Sequence, residues 1–493
     1  PPVLLWTLCR IGPTILKITS FLPIVFVEQT AIITIVNQRK YTMWNAEEAL
    51  KMKGNNILKL SWPIFVELLL QMLVGNADQI MVGWRDPNGV GAIGNANQIT
   101  NLLLLVFSVV CTAAMILISQ YIGAKDTKRV NQTYTVALLM NLVFGLLVSA
   151  VLVLGCGPIF RLMGVHALIF EETCLYMRLI GLGMMFQAVY LTFTAFFRSS
   201  QMMKETMVIS VVMNCLNIGG NYVLINGLGP IPAMGIAGAA ISSGLSRIMG
   251  AAIIAVLFRR TFGPVISLRC LRPFPWDQLK RLLAIGVPTG GESVSYNGSQ
   301  ICIQTVCNRF AAYVVNTRVY ANLFANVTYL FGSALSQACQ VVVARLMGAG
   351  EIVETDRNVK RTALAAVAVS GILSVVLWLL ARPIYGIFTK DEQVLTLAGT
   401  IMLIEIPLEL GRAVNMVMCR ALQACGDIRF PITICIVDAW LVGVGGSVLL
   451  GVVLGWGLAG LWAAMAIDEC IRAVLFLSRW NSRAWSRKHL LEE

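Results

Sequence analysis

Apolar residues in this chain come in long unbroken runs, separated by short polar and mostly basic connections. A helical run of about 20 apolar residues crosses a hydrocarbon core about 30 Å thick and satisfies its own backbone hydrogen bonds. Twelve such runs are present, at 57–83, 90–122, 132–156, 172–196, 205–226, 235–258, 280–307, 315–347, 361–381, 394–421, 430–452 and 456–478. The pattern predicts an all-α, polytopic membrane protein of about twelve transmembrane helices. Composition agrees: only 13% of residues are charged, against about 25% in soluble globular chains.

Charge placement orients the runs. Arg39, Lys40, Lys51, Lys53 and Lys59 precede the first span, and Lys125, Lys128, Arg129, Arg198 and Lys204 follow on the same side. So do the stretch from Arg259 to Arg281, the group Arg345, Arg357, Lys360, Arg361, Arg420 and Arg429, and the basic C-terminal residues. Loops on the other side hold only Arg85, Arg161, Arg309, Arg318, Arg382 and Lys390. The positive-inside rule makes both ends of the twelve-span unit cytoplasmic, in the plasma (inner) membrane of a cell. The net charge of +13 thereby reads as topology, and no nucleic-acid partner is expected. Residues 1–54 form an N-terminal segment of open role; positions 14–36 are apolar enough to suggest a thirteenth helix but contain Lys17, Pro23 and Glu28, so that signal peptide, interfacial helix and unrelated leader all stay open, with a segment dispensable for transport the favoured expectation.

Catalytic chemistry has little material. The thirteen cysteines are scattered without a CxxC pair and read as small buried hydrophobes. Only His166 and His489 carry imidazoles, and no phosphate-binding loop of the GxxxxGK[ST] type occurs. The chain is not expected to be an enzyme.

The two halves repeat. At a register of 225 residues Pro63 meets Pro288, Glu67 meets Glu292, Asn97 meets Asn322, Asn101 meets Asn326 and Gly123 meets Gly348. Beyond a three-residue slip, at 222, Arg198 meets Arg420 and GIAG at 235–238 meets GLAG at 457–460. Six spans per half is an even number, so the halves share one orientation and are related by a pseudo-two-fold along the membrane normal. The division is an N-lobe at 55–258, a basic linker at 259–281, a C-lobe at 282–480 and a cytoplasmic tail at 481–493. The transport path is expected between the lobes.

An ionisable group at mid-bilayer costs about 2.5–3.5 kcal/mol on insertion scales, so each needs a partner or a function. Glu67 and Asp78 are eleven residues apart in the first span, about 20° apart on one helical face. Asn214, Asn217 and Asn221 form a stripe on the fifth span, and Ser242 and Ser243 stand on the sixth. Carboxylate, amide and hydroxyl oxygens make a hard set suited to H⁺ or Na⁺. In the second half Glu292 has no cation within a turn on its own helix, and Asp438 has no local partner. Glu405, Glu409 and Arg412, and likewise Asp468, Glu469 and Arg472, have spacings that also suit local ion pairs. Acids in the spans outnumber arginines, which favours a cationic ligand, and plentiful methionines and aromatics suit bulky lipophilic cations.

Several stretches resemble the multidrug and toxic compound extrusion (MATE) family: WPIFVELLLQMLVGNADQIMVG at 62–83, GNANQI at 94–99, SQYIGAKD at 119–126, NIGGNYVLINGLGP at 217–230, GVPTGGE at 286–292, RLMGAG at 345–350 and CRALQACGDIRFP at 419–431. The resemblance covers about residues 55–480 and implies export of small organic cations by H⁺- or Na⁺-coupled antiport with alternating access. It is of the bacterial type and needs no cofactor beyond the coupling ion; a monomer in the lipid bilayer is the default expectation. It assigns coupling-cation binding to Asp78 and Asn217, with Ser243 where the family often has threonine. Asn221 stands where some members carry an aspartate, leaving the site one carboxylate short. Glu67 is grouped with this site, and Na⁺ at Asp78 is the only metal expected. Glu292 and Glu409 match second-half acids, and with Asp438 they form the expected substrate or second cation site. The rival readings are a flippase of lipid-linked precursors, for which a basic cavity would be expected, an exporter of an anionic metabolite, and a non-transporting receptor or channel, against which the two-half repeat argues.

Overall fold

The computed structural model describes residues 57–75, 77–228, 231–267 and 271–487; the N-terminal segment, and with it every expectation placed on residues 1–54, lies outside them. The described residues form twelve helices of membrane-spanning length. In the first half these are α1 (Ile57–Gly75 and Ala77–Gly83), α2 (Pro87–Gly123), α3 (Thr127–Leu162), α4 (Ala167–Ser199), α5 (Met203–Asn226) and α6 (Ile236–Phe262). In the second they are α7 (Trp276–Cys307), α8 (Ala312–Gly348), α9 (Ile352–Leu379), α10 (Glu392–Ala424), α11 (Arg429–Val453) and α12 (Gly457–Asn481).

Ten are apolar enough to cross a membrane by length and composition alone. The other two, α7 and α12, carry polar cargo: GGESVSYNGSQ at 290–300 in one, and Asp468, Glu469 and Arg472 in the other. Such helices are tolerated where their polar faces meet protein. Ends follow local rules. Asp86 accepts a hydrogen bond from the Asn88 amide before Pro87, and Asp126 and Asp391 cap α3 and α10 in the same manner. The α6 helix runs to Phe262 and α7 starts at Trp276, so the connection is shorter at both ends than the 259–281 linker read from charge. Part of the tail folds back, burying Trp485 in a 4.3 Å stack on Trp480.

Three apolar clusters show how the lobes meet. One is shared by both halves, combining residues such as Ile118 and Phe197 with Val343 and Leu422. A second holds only N-lobe residues, among them Ile93, Leu152 and Met184; the third holds only C-lobe residues, among them Ile303, Tyr385 and Trp462. The lobes are therefore packed together at the end that carries the basic connections and separately at the other.

At the joined end, repeat partners touch one another. A Cβ placed on Gly123 would lie 2.1 Å from the Arg345 carbonyl oxygen, and one on Gly348 would lie 2.0 Å from that of Gln120. Residue 120 maps to 345 and 123 to 348 at the 225 register, so α2 and α8 cross backbone on backbone at a self-complementary contact, as a two-fold requires. Side chains lock the crossing. Gln120 donates to the Ala424 carbonyl at 2.7 Å, Tyr121 donates to Gln278 at 3.0 Å, and Arg198 donates to Gln337 at 2.9 Å.

Candidate functional site

The N-lobe encloses a buried carboxylate cluster drawn from four helices. Asp78, on the second stretch of α1, is buried. Its Oδ1 accepts from Asn221 Nδ2 of α5 at 2.5 Å, and its Oδ2 accepts from Ser243 Oγ of α6 at 2.8 Å and Tyr176 OH of α4 at 3.2 Å. Asn217 donates from Nδ2 to Ser243 Oγ at 2.9 Å, and its own backbone carbonyl accepts from Ser242 Oγ at 2.8 Å. The i, i+4 spacing of Asn217 and Asn221 puts both amides on the face of α5 that meets α6. The close approach of these helices depends on Gly220, where a Cβ would come within 2.4 Å of Ser242 Oγ.

Asn221 spends its amide N–H on Asp78, and its Oδ1 is buried with no donor among the described residues. A buried carboxylate, a hydroxyl and amide side chains thus gather in one cluster, oxygen chemistry of the kind that holds H⁺ or Na⁺. The acid on α1, the stripe on α5 and Ser243 on α6 pointed to four members of this cluster, Asp78, Asn217, Asn221 and Ser243. Tyr176 was not singled out, because an aromatic in an apolar run reads as packing until a carboxylate is found beside it.

Glu67 does not join this set. Eleven residues along a helix amount to about 16 Å of rise, and at that distance Glu67 forms a cluster of its own. It accepts an ion pair from Arg198 at 2.8 Å and hydrogen bonds from Thr206 Oγ1 at 3.3 Å and Gln71 Nε2 at 3.5 Å. Arg198, read from the sequence as a loop cation, is in the last turn of α4 with its side chain only 14% exposed. Arg318, read likewise, is buried on α8 with its guanidinium 5.7 Å from the Trp462 ring.

The C-lobe acids form a larger network. Arg412 pairs with Glu409 one turn away on α10, reaches Glu469 at 3.3 Å and stands 4.0 Å from Glu405. Arg472 pairs with Asp468, lies 3.4 Å from Glu469 and 3.7 Å from Asp438. Asn415 donates to Glu469 at 2.7 Å, and the Trp462 indole N–H donates to Glu405 at 2.6 Å. The two i, i+3/i+4 groups and Asp438 are therefore one assembly linked through Glu469, with five carboxylates to two guanidiniums. Oxygens of Glu405, Asp438 and Asp468 stay buried without a hydrogen-bond donor among the described residues. Directly after Asp438, α11 widens to π winding over Ala439–Val444 and Ser447–Val453, a stretch rich in glycine. Among the described residues Glu292 shares no ion pair or hydrogen bond with this network; it accepts from Gln423 Nε2 at 3.4 Å.

The pseudo-two-fold is broken at both sites. Asp78, Asn217, Asn221 and Ser243 map to Ile303, Ala439, Gly443 and Met465, so the second half has no copy of the N-lobe cluster.

A duplicated bundle of membrane-length helices in two lobes, each with buried carboxylates at its core, is the architecture of a secondary transporter. The chain belongs to the MATE family: the family model MatE matches residues 63–223 and again 288–449, one copy in each half. The chain is 32% identical to the uncharacterized transporter YisQ of Bacillus subtilis over 88% of this chain and 96% of that protein. It is 24% identical to a probable multidrug resistance protein NorM of Thermotoga maritima, covering 88% and 94%. Among solved structures, a MATE transporter in its straight conformation superposes with a TM-score of 0.79 at 19% identity, covering 87% of this chain and 96% of that one. A single-residue mutant of the Vibrio cholerae MATE transporter VcmN superposes with 0.81 at 17% identity, covering 89% and 99%.

Proposed function

We propose that this protein exports small organic cations by H⁺- or Na⁺-coupled antiport, with Asp78 as the coupling carboxylate. The observation that carries the reading is the buried Asp78 cluster, where three donors hold the carboxylate and the Asn221 oxygen is buried with no donor among the described residues. The acid excess of the C-lobe network, with Glu409 and Asp438, supports a second cation or substrate site there. The relatives described as probable multidrug resistance proteins support the substrate class. The protein works as a monomer in the plasma (inner) membrane with the basic end cytoplasmic, and the lobes, joined at that end, are then outward-facing.

In this mechanism the substrate cation and the coupling ion compete for acids whose surroundings differ between the two facing states. A ligand shifts that equilibrium only by its differential affinity. Inward movement of H⁺ or Na⁺ onto Asp78 in the outward-facing state lowers affinity for the substrate and releases it.

One structural relative, a Pyrococcus furiosus transporter of the MOP superfamily, is described as having a binding pocket of reverse polarity that suggests a different function. The acid excess here favours cations over lipid-linked or anionic cargo. The test is efflux of an ethidium-like cation from cells or proteoliposomes under imposed H⁺ or Na⁺ gradients. Gradient-driven efflux that is lost in Asp78→Asn is the expected result. A correctly inserted parent that moves no cationic dye under either gradient overturns the reading.

A further inference from the structure

The two acids that the repeat pairs, Glu67 and Glu292, live in opposite surroundings. Glu67 is neutralised by Arg198 and held by Thr206 and Gln71. At the equivalent places the second half has Arg420, Ile428 and Tyr296. Among the described residues Arg420 makes no ion pair with Glu292 within 4.0 Å, so that it and Arg472 act on the carboxylate only from farther off, and neither Ile428 nor Tyr296 bonds to it. Two cysteines stand beside Glu292 instead. Cys419 of α10 and Cys435 of α11 occupy the positions of Phe197 and Met213 in the first half, and both are buried. The two Sγ atoms and a Glu292 carboxylate oxygen all lie within 4.8 Å of one another. Gln423, itself held by Gln340, donates to both Glu292 and Cys419.

From this we infer that Glu292, Cys419 and Cys435 form a site for a borderline-soft divalent cation of the Zn²⁺ class. Two thiols and a carboxylate from three different helices are a donor set that Zn²⁺ and Cd²⁺ accept in tetrahedral geometry, with the fourth position left to water. Metal–sulfur bonds of about 2.3 Å need only small side-chain rotations from the present spacing. Gln423 orients the set from outside it, as partners of metal ligands commonly do. The thiols bind as thiolates, so each metal ion taken up displaces their two protons to the medium. Occupation ties α7 to α10 and α11. The sequence hid this set because the three residues lie on separate helices with no short spacing between them. The inference does not depend on what the protein exports.

The test uses the purified, reduced full chain in detergent, with Cd²⁺ as a spectroscopic probe and Zn²⁺ as competitor. The parent is expected to show a cadmium–thiolate charge-transfer band that saturates at one Cd²⁺ and is displaced by Zn²⁺, and to gain unfolding temperature with Zn²⁺. Cys419→Ser, Cys435→Ser and Glu292→Gln should each weaken binding by more than the ~10- to 100-fold that losing an outer partner costs. Replacing the exposed Cys215 by serine should change nothing. A saturable band that survives in the Cys419/Cys435 double serine variant overturns the inference. So does a parent with all thiols titratable that binds no Cd²⁺, a result that needs no variant to fold.

Discussion

The crossing of α2 and α8 can be perturbed by a single methyl group. Alanine at Gly348 places Cβ 2.0 Å from the Gln120 carbonyl oxygen, and alanine at Gly123 places it 2.1 Å from that of Arg345 and 2.9 Å from the Ala349 nitrogen. Carbon contacts are comfortable only beyond about 3.5 Å, and the obstructing atoms are backbone, so the helices themselves must part by roughly 1 Å or more. Overpacking of this kind costs about 1–3 kcal/mol. Because the crossing joins the lobes at the basic end only, that cost falls on this state of the protein. It would shift the equilibrium between facing states by about 5- to 150-fold. Spin-label distances between the lobes at the basic end, and reactivity of single cysteines there towards a membrane-impermeant maleimide, would read the shift. Both variants should widen the same gap, since they are the same substitution on two sides of the pseudo-two-fold. Gly219→Ala and Gly291→Ala, where a Cβ meets nothing within 4 Å, are the controls. Unchanged distances and labelling in correctly folded Gly123→Ala and Gly348→Ala proteins would refute the idea that this contact holds the basic end shut.

Arg198→Ala leaves Glu67 buried without its cation and should destabilise the protein by about 3–5 kcal/mol, whereas the pair Glu67→Gln with Arg198→Gln should recover most of the loss. Thermal unfolding in detergent distinguishes the two, and equal damage from both would mean that the ion pair is not what matters there. Trp462→Phe removes the donor to Glu405 while keeping an aromatic ring, at a cost of about 1–3 kcal/mol for the unsatisfied carboxylate oxygen. It should be partly rescued by Glu405→Gln, and the absence of any loss would show that the 2.6 Å hydrogen bond is not made in the folded protein. Asp78→Asn should keep its fold and lose ion-driven efflux, so an unfolded variant and an inactive one are told apart by unfolding temperature.

The sequence by itself determined the helical class, the number of spans and the duplication. Each rests on runs of apolar residues or on positions recurring at one offset, and both are properties of the chain alone. It also marked Asp78, Asn217, Asn221 and Ser243, since a polar atom in an apolar run is conspicuous wherever it points. What it could not decide is which of these groups meet. Glu67 and Asp78 share a helical face, yet one pairs with an arginine at the end of α4 and the other with donors from α4, α5 and α6. Asp438, without a partner on its own helix, finds Arg472 on α12. Cys419, Cys435 and Glu292 converge from three helices, and Gly123 meets its own repeat partner's neighbourhood rather than solvent. In a membrane bundle the interhelical rotation and depth of each span set these meetings, through side chains packed far apart in sequence. Periodicity reports the face on which a residue lies, and only the packed lobes decide what stands opposite.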